Sequence, residues 1–264
     1  MSIAPLRAVF YAATGSAIVA GTASLVGHGP PPLVTGTGLA AYLGLVAFAV
    51  VEPSTRIFGE VVTRVPSGIA LTFDDGPHPV FTRKTMDALE ARDARGTFFM
   101  IGRKMKAHPD VVREVIARGH AVGAHGFTHD RLYAMRSFGW LEKDADEEER
   151  VWEEVVGRLP VLYRPPIGLM NPRIARLAAE RDRKIIAWTI RPRDGLARTA
   201  ATTVAERVTA RLRAGDIVLL HDTAEHDARE PAALAALPTI LDAAARLGLT
   251  PGTVSVPVPE LPPP

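Results

Sequence analysis

The chain has no cysteine among its 264 residues, which excludes a disulfide framework and a thiolate metal site. Net charge is also scarce: 31 Lys and Arg against 29 Asp and Glu leave +2, too diffuse for the basic footprint of a nucleic-acid binder. No internal repeat of fixed period occurs, and no low-complexity tract beyond the proline-rich ends. The most telling absence is local, because Ala8 to Gly27 carries no charged residue and neither does Leu33 to Val51. Each run suits a bilayer crossing, which takes about 20 residues, and the GHGPPP stretch between them is a natural break. A cleaved signal peptide, with Arg7 as its positive flank and the small residues of Val19 to Ser24 as its cleavage site, accounts for the first run only. A membrane hairpin accounts for both, its many Gly, Ala, Ser and Thr residues allowing close helix packing.

What remains is ordinary in composition, 47% hydrophobic and 23% charged over the whole chain, and alternates short apolar runs with longer amphipathic ones. Ile69 to Phe73, Thr97 to Ile101, Ala121 to Ala124, Val161 to Tyr163, Ile185 to Ile190, Ile217 to Leu220 and Thr250 to Val256 read as strands. Helical spacing covers Thr82 to Arg92, Pro109 to Arg118, Ser137 to Arg158, Pro172 to Arg181, Ala201 to Arg213 and Pro231 to Leu247. The acidic run Glu142 to Glu154 reads as a solvated helix face, its charges broken by Val151 and Trp152. Repeated strand–helix units imply an α/β fold with a parallel sheet, and about seven of them suggest barrel-like closure. Chemistry in such folds gathers at the C-terminal ends of the strands.

Polar residues of catalytic type stand at those ends. Leu71 to Pro79 reads LTFDDGPHP, an apolar strand that stops on two adjacent carboxylates, Asp74 and Asp75. Asp-Gly is a common turn dipeptide, yet two neighbouring acids repel unless a cation or a proton offsets them. In GAHGFTHDRL, His125 and His129 are four apart, so that both imidazoles can face one point and a carboxylate can complete a three-ligand set with an open position. Two His and one carboxylate also describe non-haem iron oxygenases. Tyr163-Arg164-Pro165-Pro166-Ile167-Gly168 holds its arginine in an extended segment. IVLLHD delivers His221 to a strand exit.

TFDDG, HxxxH, RPPxG, a Trp-containing strand followed by Asp194, and LLHD, in this order from about Pro66 to Val256, resemble the polysaccharide deacetylases of carbohydrate esterase family 4. The resemblance implies a distorted, incomplete (β/α) barrel at 58–264, behind a membrane-anchoring segment at 1–57. It implies metal ligation by Asp75, His125 and His129, with zinc the default ion and cobalt, nickel or manganese as alternatives. Asp74 matches the general base, its charge offset by metal and by Arg164, and His221 matches the general acid, oriented by Asp194. Ile167 matches the position whose backbone N–H serves the oxyanion, and Leu219 one lining the acetyl pocket, though as a residue it reads equally as core. The adjacent Asp74 and the distal His221 favour hydrolysis over iron chemistry.

The sequence departs from the family pattern near the substrate. Gly126 stands where many members have Ser or Thr, with Thr128 available as a substitute brace; Ile167 replaces a frequent Tyr, Gly195 a usual Trp, and Arg191 a frequent acid. One wall of the pocket is therefore expected to be more open. The expected partners are an N-acetylated envelope glycan of peptidoglycan or chitin type and a lipid bilayer, with no nucleic acid. O-deacetylation of an acetylated polysaccharide, and non-catalytic glycan binding, are the alternative functions. Arg7, Arg56 and Arg64 flank the hairpin and would hold the domain in the cytoplasm, whereas a wall substrate requires it outside. The outward orientation is the expectation, because a long C-terminal domain can translocate regardless of such charges.

Overall fold

A computed structural model describes residues 4–195, 199–223 and 229–255. Two N-terminal helices, α1 (Ala4–Leu25) and α2 (Pro32–Val51), lead into β1 (Val61–Val62), β2 (Ile69–Gly76), α3 (Phe81–Glu90), β3 (Gly96–Met100), α4 (Gly102–Ala107), α5 (Pro109–Ala117) and β4 (Ala121–Ala124). There follow α6 (Phe138–Val156), β5 (Leu162–Tyr163), α7 (Pro172–Glu180), β6 (Lys184–Ile186), α8 (Ala201–Thr209), β7 (Ile217–His221), α9 (Ala232–Arg246) and β8 (Pro251–Gly252).

All strand pairs are parallel, in the order β1-β6-β5-β4-β3-β2-β7, with β8 added beside the start of β2. The chain after β6 then reaches β7, where Ile190 bridges Val218. The sheet therefore curls into the incomplete barrel that the family resemblance implies, with the parallel strands that the alternating pattern predicts. β2 is buried along its whole length, which is why it reads as a continuous apolar run rather than an alternating one.

Two strand expectations are corrected and one strand is added. β1 is a two-residue edge strand with no apolar run to announce it. The run Ile185 to Ile190 is not one strand but changes partner and bends at Thr189: β6 ends at Ile186, Ala187 donates to Val62 O (2.9 Å), and Thr189 donates to Ile217 O (2.9 Å). The last strand is confined to Pro251–Gly252, and Val256 lies outside the described residues. Helix boundaries agree to within a few residues, and capping explains them where the pattern was sharpest. Asn171 accepts from Ile174 N (2.9 Å) to start α7, with Pro172 next to it; Ser137 starts α6 and Gly157 (φ 78°) ends it. α4 is a short helix in a stretch to which the sequence pattern assigns no element.

The solvated face expected for the acidic run holds only in part. Asp144 and Glu148 of α6 are buried, and Glu148 is ion-paired with the equally buried Arg183 (2.6 Å). Burial pushes the Glu148 carboxyl up, with Arg183 opposing.

α1 and α2 pack as a hairpin, joined by Thr14 Oγ1 to Tyr42 Oη (2.8 Å) and by Ser24 Oγ to Thr35 Oγ1 (2.7 Å) near the turn. Both are long and apolar enough to cross a membrane, and their outer surfaces expose Val9, Ile18, Val19, Leu33, Leu43 and Phe48. At the open end of the hairpin, Phe10 packs edge-on against Phe58, and Val50 O accepts from Met170 N (2.9 Å).

Candidate active site

The C-terminal ends of β2, β4, β5 and β7 meet at one mouth, and a local irregularity sets the geometry of the first. β2 is in register with β3 at Asp74↔Phe99 and again at Gly76↔Met100, so Asp75 is one extra residue, a bulge with φ 74°. Successive residues of a regular strand point to opposite faces. The bulge breaks that alternation and lets two adjacent carboxylates serve the same mouth. A Cβ on Gly76 would stand 2.7 Å from Asp222 Oδ2, so a larger residue here would have to displace that buried carboxylate.

Asp75 Oδ1 is buried and accepts no hydrogen bond; His129 Nε2 lies 3.2 Å from it and His125 Nε2 3.6 Å. Donors about 2.1 Å from a tetrahedral ion stand about 3.4 Å apart, so this spacing fits one divalent cation. His125 donates its Nδ1–H to Arg164 O (2.7 Å), since a carbonyl can only accept, which leaves Nε2 turned toward Asp75. Burial pushes the Asp75 carboxyl up, but His125, His221 and His129 outweigh it and hold it well below the usual carboxylate range. The donor set therefore suits a resident cation without any thiolate.

The loop carrying both histidines is held from α6. Asp144 accepts from Phe127 N (2.9 Å), Thr128 N (3.1 Å) and Thr128 Oγ1 (2.7 Å). Thr128 thus supplies the brace for which Gly126 has no hydroxyl. Gly126 itself sits at φ 76°, and a Cβ there would meet Pro166 Cγ at 2.8 Å. Asp144 escaped the sequence reading because it lies within an acidic run. A second group missed in the sequence is Lys104, whose Nζ donates to Asp75 O (2.7 Å). A third is Asp222, read only as a strand marker: it is buried against Thr82 Oγ1, and burial pushes its carboxyl up to about 7.

Arg164 is fully buried and its guanidinium makes four hydrogen bonds: Nη1 to Asp74 Oδ1 (2.6 Å) and Thr72 Oγ1 (2.9 Å), Nε to Ile186 O (3.1 Å), Nη2 to Ala187 O (3.3 Å). It also stacks on Phe99, 4.2 Å from the ring centre. Asp74 is thereby fixed beside, and apart from, the Asp75 cluster. From the turn that follows Ile190, Asp194 accepts from both His221 N (2.7 Å) and His221 Nδ1 (3.2 Å). Burial lowers the imidazole's pKa, but Asp194, Asp75 and Asp74 together raise it to about 10. The His221 side chain remains 23% exposed, so it can meet a ligand.

Leu219 and His221 lie two apart on β7 and face the same side, with Leu219 buried one layer beneath. Ile167 is 39% exposed at the rim with φ 61°, a strained conformation for a β-branched residue, and its N–H has no acceptor among the described residues. Nothing bulky follows Asp194: a Cβ on exposed Gly195 would lie 3.1 Å from His221 Cε1, so glycine leaves that imidazole uncovered. Arg191 lies 5.5 Å from the Trp188 ring.

Residues 62–186 match the family model described as polysaccharide deacetylase. A peptidoglycan-N-acetylglucosamine deacetylase of Bacillus cereus is 37% identical over 183 residues, covering 67% of this chain and 84% of that protein. A chitooligosaccharide deacetylase of Sinorhizobium fredii is 34% identical over 61% of this chain and 74% of its own. Among solved structures, the peptidoglycan deacetylase PdaC from Bacillus subtilis superposes with a TM-score of 0.63 at 28% identity, covering 71% of this chain and 88% of that one.

Proposed function

This chain belongs to the polysaccharide deacetylase family, and from that premise we propose that it is a membrane-anchored, metal-dependent enzyme removing N-acetyl groups from N-acetylhexosamine units of a cell-envelope glycan. The observation that carries this reading is the convergence of Asp75, His125 and His129 between an arginine-held carboxylate, Asp74, and a histidine–carboxylate pair, His221 and Asp194. The relatives named for N-acetylglucosamine and chitooligosaccharide deacetylation support the substrate class.

Asp75, His125 and His129 would hold a divalent ion, zinc by default for an imidazole and carboxylate set. When bound, that ion polarises the acetyl carbonyl and acidifies water. Asp74 takes the proton of the attacking water, its carboxylate pinned by Arg164 so that one oxygen remains for the task. The unpaired N–H of Ile167 donates to the carbonyl oxygen as negative charge develops on it. Leu219 supplies the apolar floor for the methyl. His221 protonates the departing nitrogen, because an amide nitrogen leaves poorly as an anion. Asp194 fixes the imidazole's tautomer and favours its charged form.

The pH dependence follows from the sign of the His221 shift. The donor works only when protonated, so a pKa raised from 6.5 keeps the rate high past neutrality and loses it as pH approaches the raised value of about 10. A cation on Asp75 cancels the share contributed by Asp74 and Asp75, leaving Asp194 to sustain the shift. Asp194→Asn should therefore move the alkaline limb of kcat toward acid, toward the ordinary imidazole range, with the acidic limb in place. An alkaline limb unmoved in that variant would assign the proton donor to another group.

We place the domain outside the membrane, where an envelope glycan is. Both ends of the hairpin lie on the domain's side, so the N-terminus faces the same compartment. Protease added to intact cells or spheroplasts should degrade the domain. Protection until the membrane is permeabilised would redirect the activity to cytoplasmic N-acetylated precursors.

A further inference from the structure

Where the hairpin meets the folded domain lies a cavity of about 520 Å³, lined by Arg7 and Tyr11 of α1, Phe58, Ala175 and Ala179 of α7, and Lys184 at the start of β6. It lies apart from the catalytic mouth, along the β1 and β6 edge. Arg7 donates from Nε to Arg56 O (3.0 Å), but its Nη2 is buried without an acceptor. A buried charged donor without a protein partner is costly, and an anion in the cavity would relieve that cost. Lys184 has no ion-pair partner among the described residues. Other cations of the wall are committed, Arg176 to Glu180 (2.8 Å) and Arg183 to Glu148 (2.6 Å) and Glu149 (3.0 Å). Against the two remaining cations stands one carboxylate, Glu60.

Position narrows the ligand. Arg7 in the second turn of α1 and Arg56 just beyond α2 stand at the same end of two spans with uncharged surfaces. That is the level at which the phosphate layer of a bilayer lies. We propose that this cavity receives the phosphate of a membrane-lipid headgroup, bound by Arg7 and Lys184 with its glycerol end against Tyr11, Phe58 and the alanines of α7, and that this contact docks the domain on the membrane surface. The proposal rests on the membrane-anchored reading above.

The test uses the full chain in detergent, with thermal unfolding followed during titration with dihexanoyl-phosphatidylglycerol, dihexanoylglycerol or inorganic phosphate. The phosphatidylglycerol should raise Tm saturably and the phosphate-free lipid should not. Arg7→Gln and Lys184→Gln should each weaken the apparent affinity about tenfold, the loss of one charge-assisted contact, while acetate release from a soluble oligosaccharide stays unchanged. Equal Tm shifts in the variants, an equal shift from the phosphate-free lipid, or no shift at all would overturn the cavity's role. Inorganic phosphate matching the lipid at equal concentration would overturn the lipid source and leave a soluble phosphate as the ligand. Alkaline carbonate extraction separates the two readings. A chain released from membranes overturns the anchor, whereas a chain that stays and shows no phosphate-dependent shift overturns the cavity alone.

Discussion

Asp75→Ala, His125→Ala and His129→Ala should each lose bound metal and acetate release together, whereas Asp74→Asn should keep its metal and lose turnover by about a hundredfold or more. The two carboxylates are neighbours in sequence, yet the bulge at Asp75 sends them to different partners. Asp75 Oδ1 faces the two imidazoles at 3.2 and 3.6 Å, so removing it takes away one of three donors. Asp74 is held by Arg164 at 2.6 Å and lies 3.8 Å from the nearer imidazole nitrogen, so an amide in its place leaves the donor set intact and removes the base. Elemental analysis of each purified variant, alongside its kcat, checks the split. Equal metal loss in Asp74→Asn and Asp75→Ala would refute it.

Arg164→Met should destabilise the fold by about 3–5 kcal/mol and abolish activity, because it leaves Asp74 buried without its cation and three further acceptors without donors. The methionine also forfeits the stack on Phe99. Arg164→Lys keeps the charge but cannot reproduce a planar fork that meets a carboxylate, a hydroxyl and two carbonyls at once. It should retain more stability than the methionine variant and still lose most of kcat. Denaturant unfolding read with acetate release separates these outcomes; an Arg164→Met protein as stable as the wild type would show that Asp74 needs no buried counter-charge.

How much of this was legible in the sequence depends on whether a feature is local. The candidate set was legible where its members stand at or just past strand ends: LTFDD and IVLLHD are apolar runs that stop on polar groups, and RPP disfavours a helix at Arg164. The parallel sheet and its barrel-like closure followed from the alternation of strands and helices, and the incompleteness of the barrel from the family resemblance. Features set by distant partners were not legible. Asp144 looks like its exposed neighbours, since its three donors belong to Phe127 and Thr128, some sixteen residues earlier. Glu148 is buried by Arg183, thirty-five residues later. The end of β6 is fixed by where Thr189 finds a carbonyl, and only the curled sheet shows that it is Ile217. The bulge at Asp75 needs the β3 register to be seen.

The most direct test of the central claim is acetate release from N-acetylglucosamine oligomers by the full chain, purified without chelator, then stripped of metal, then reloaded with zinc. Activity should be present, fall to background on stripping and return on reloading, with Asp75→Ala failing to recover. Acetate release that persists through stripping, or none from the zinc-loaded protein, would contradict a metal-dependent N-deacetylase built on Asp75, His125 and His129.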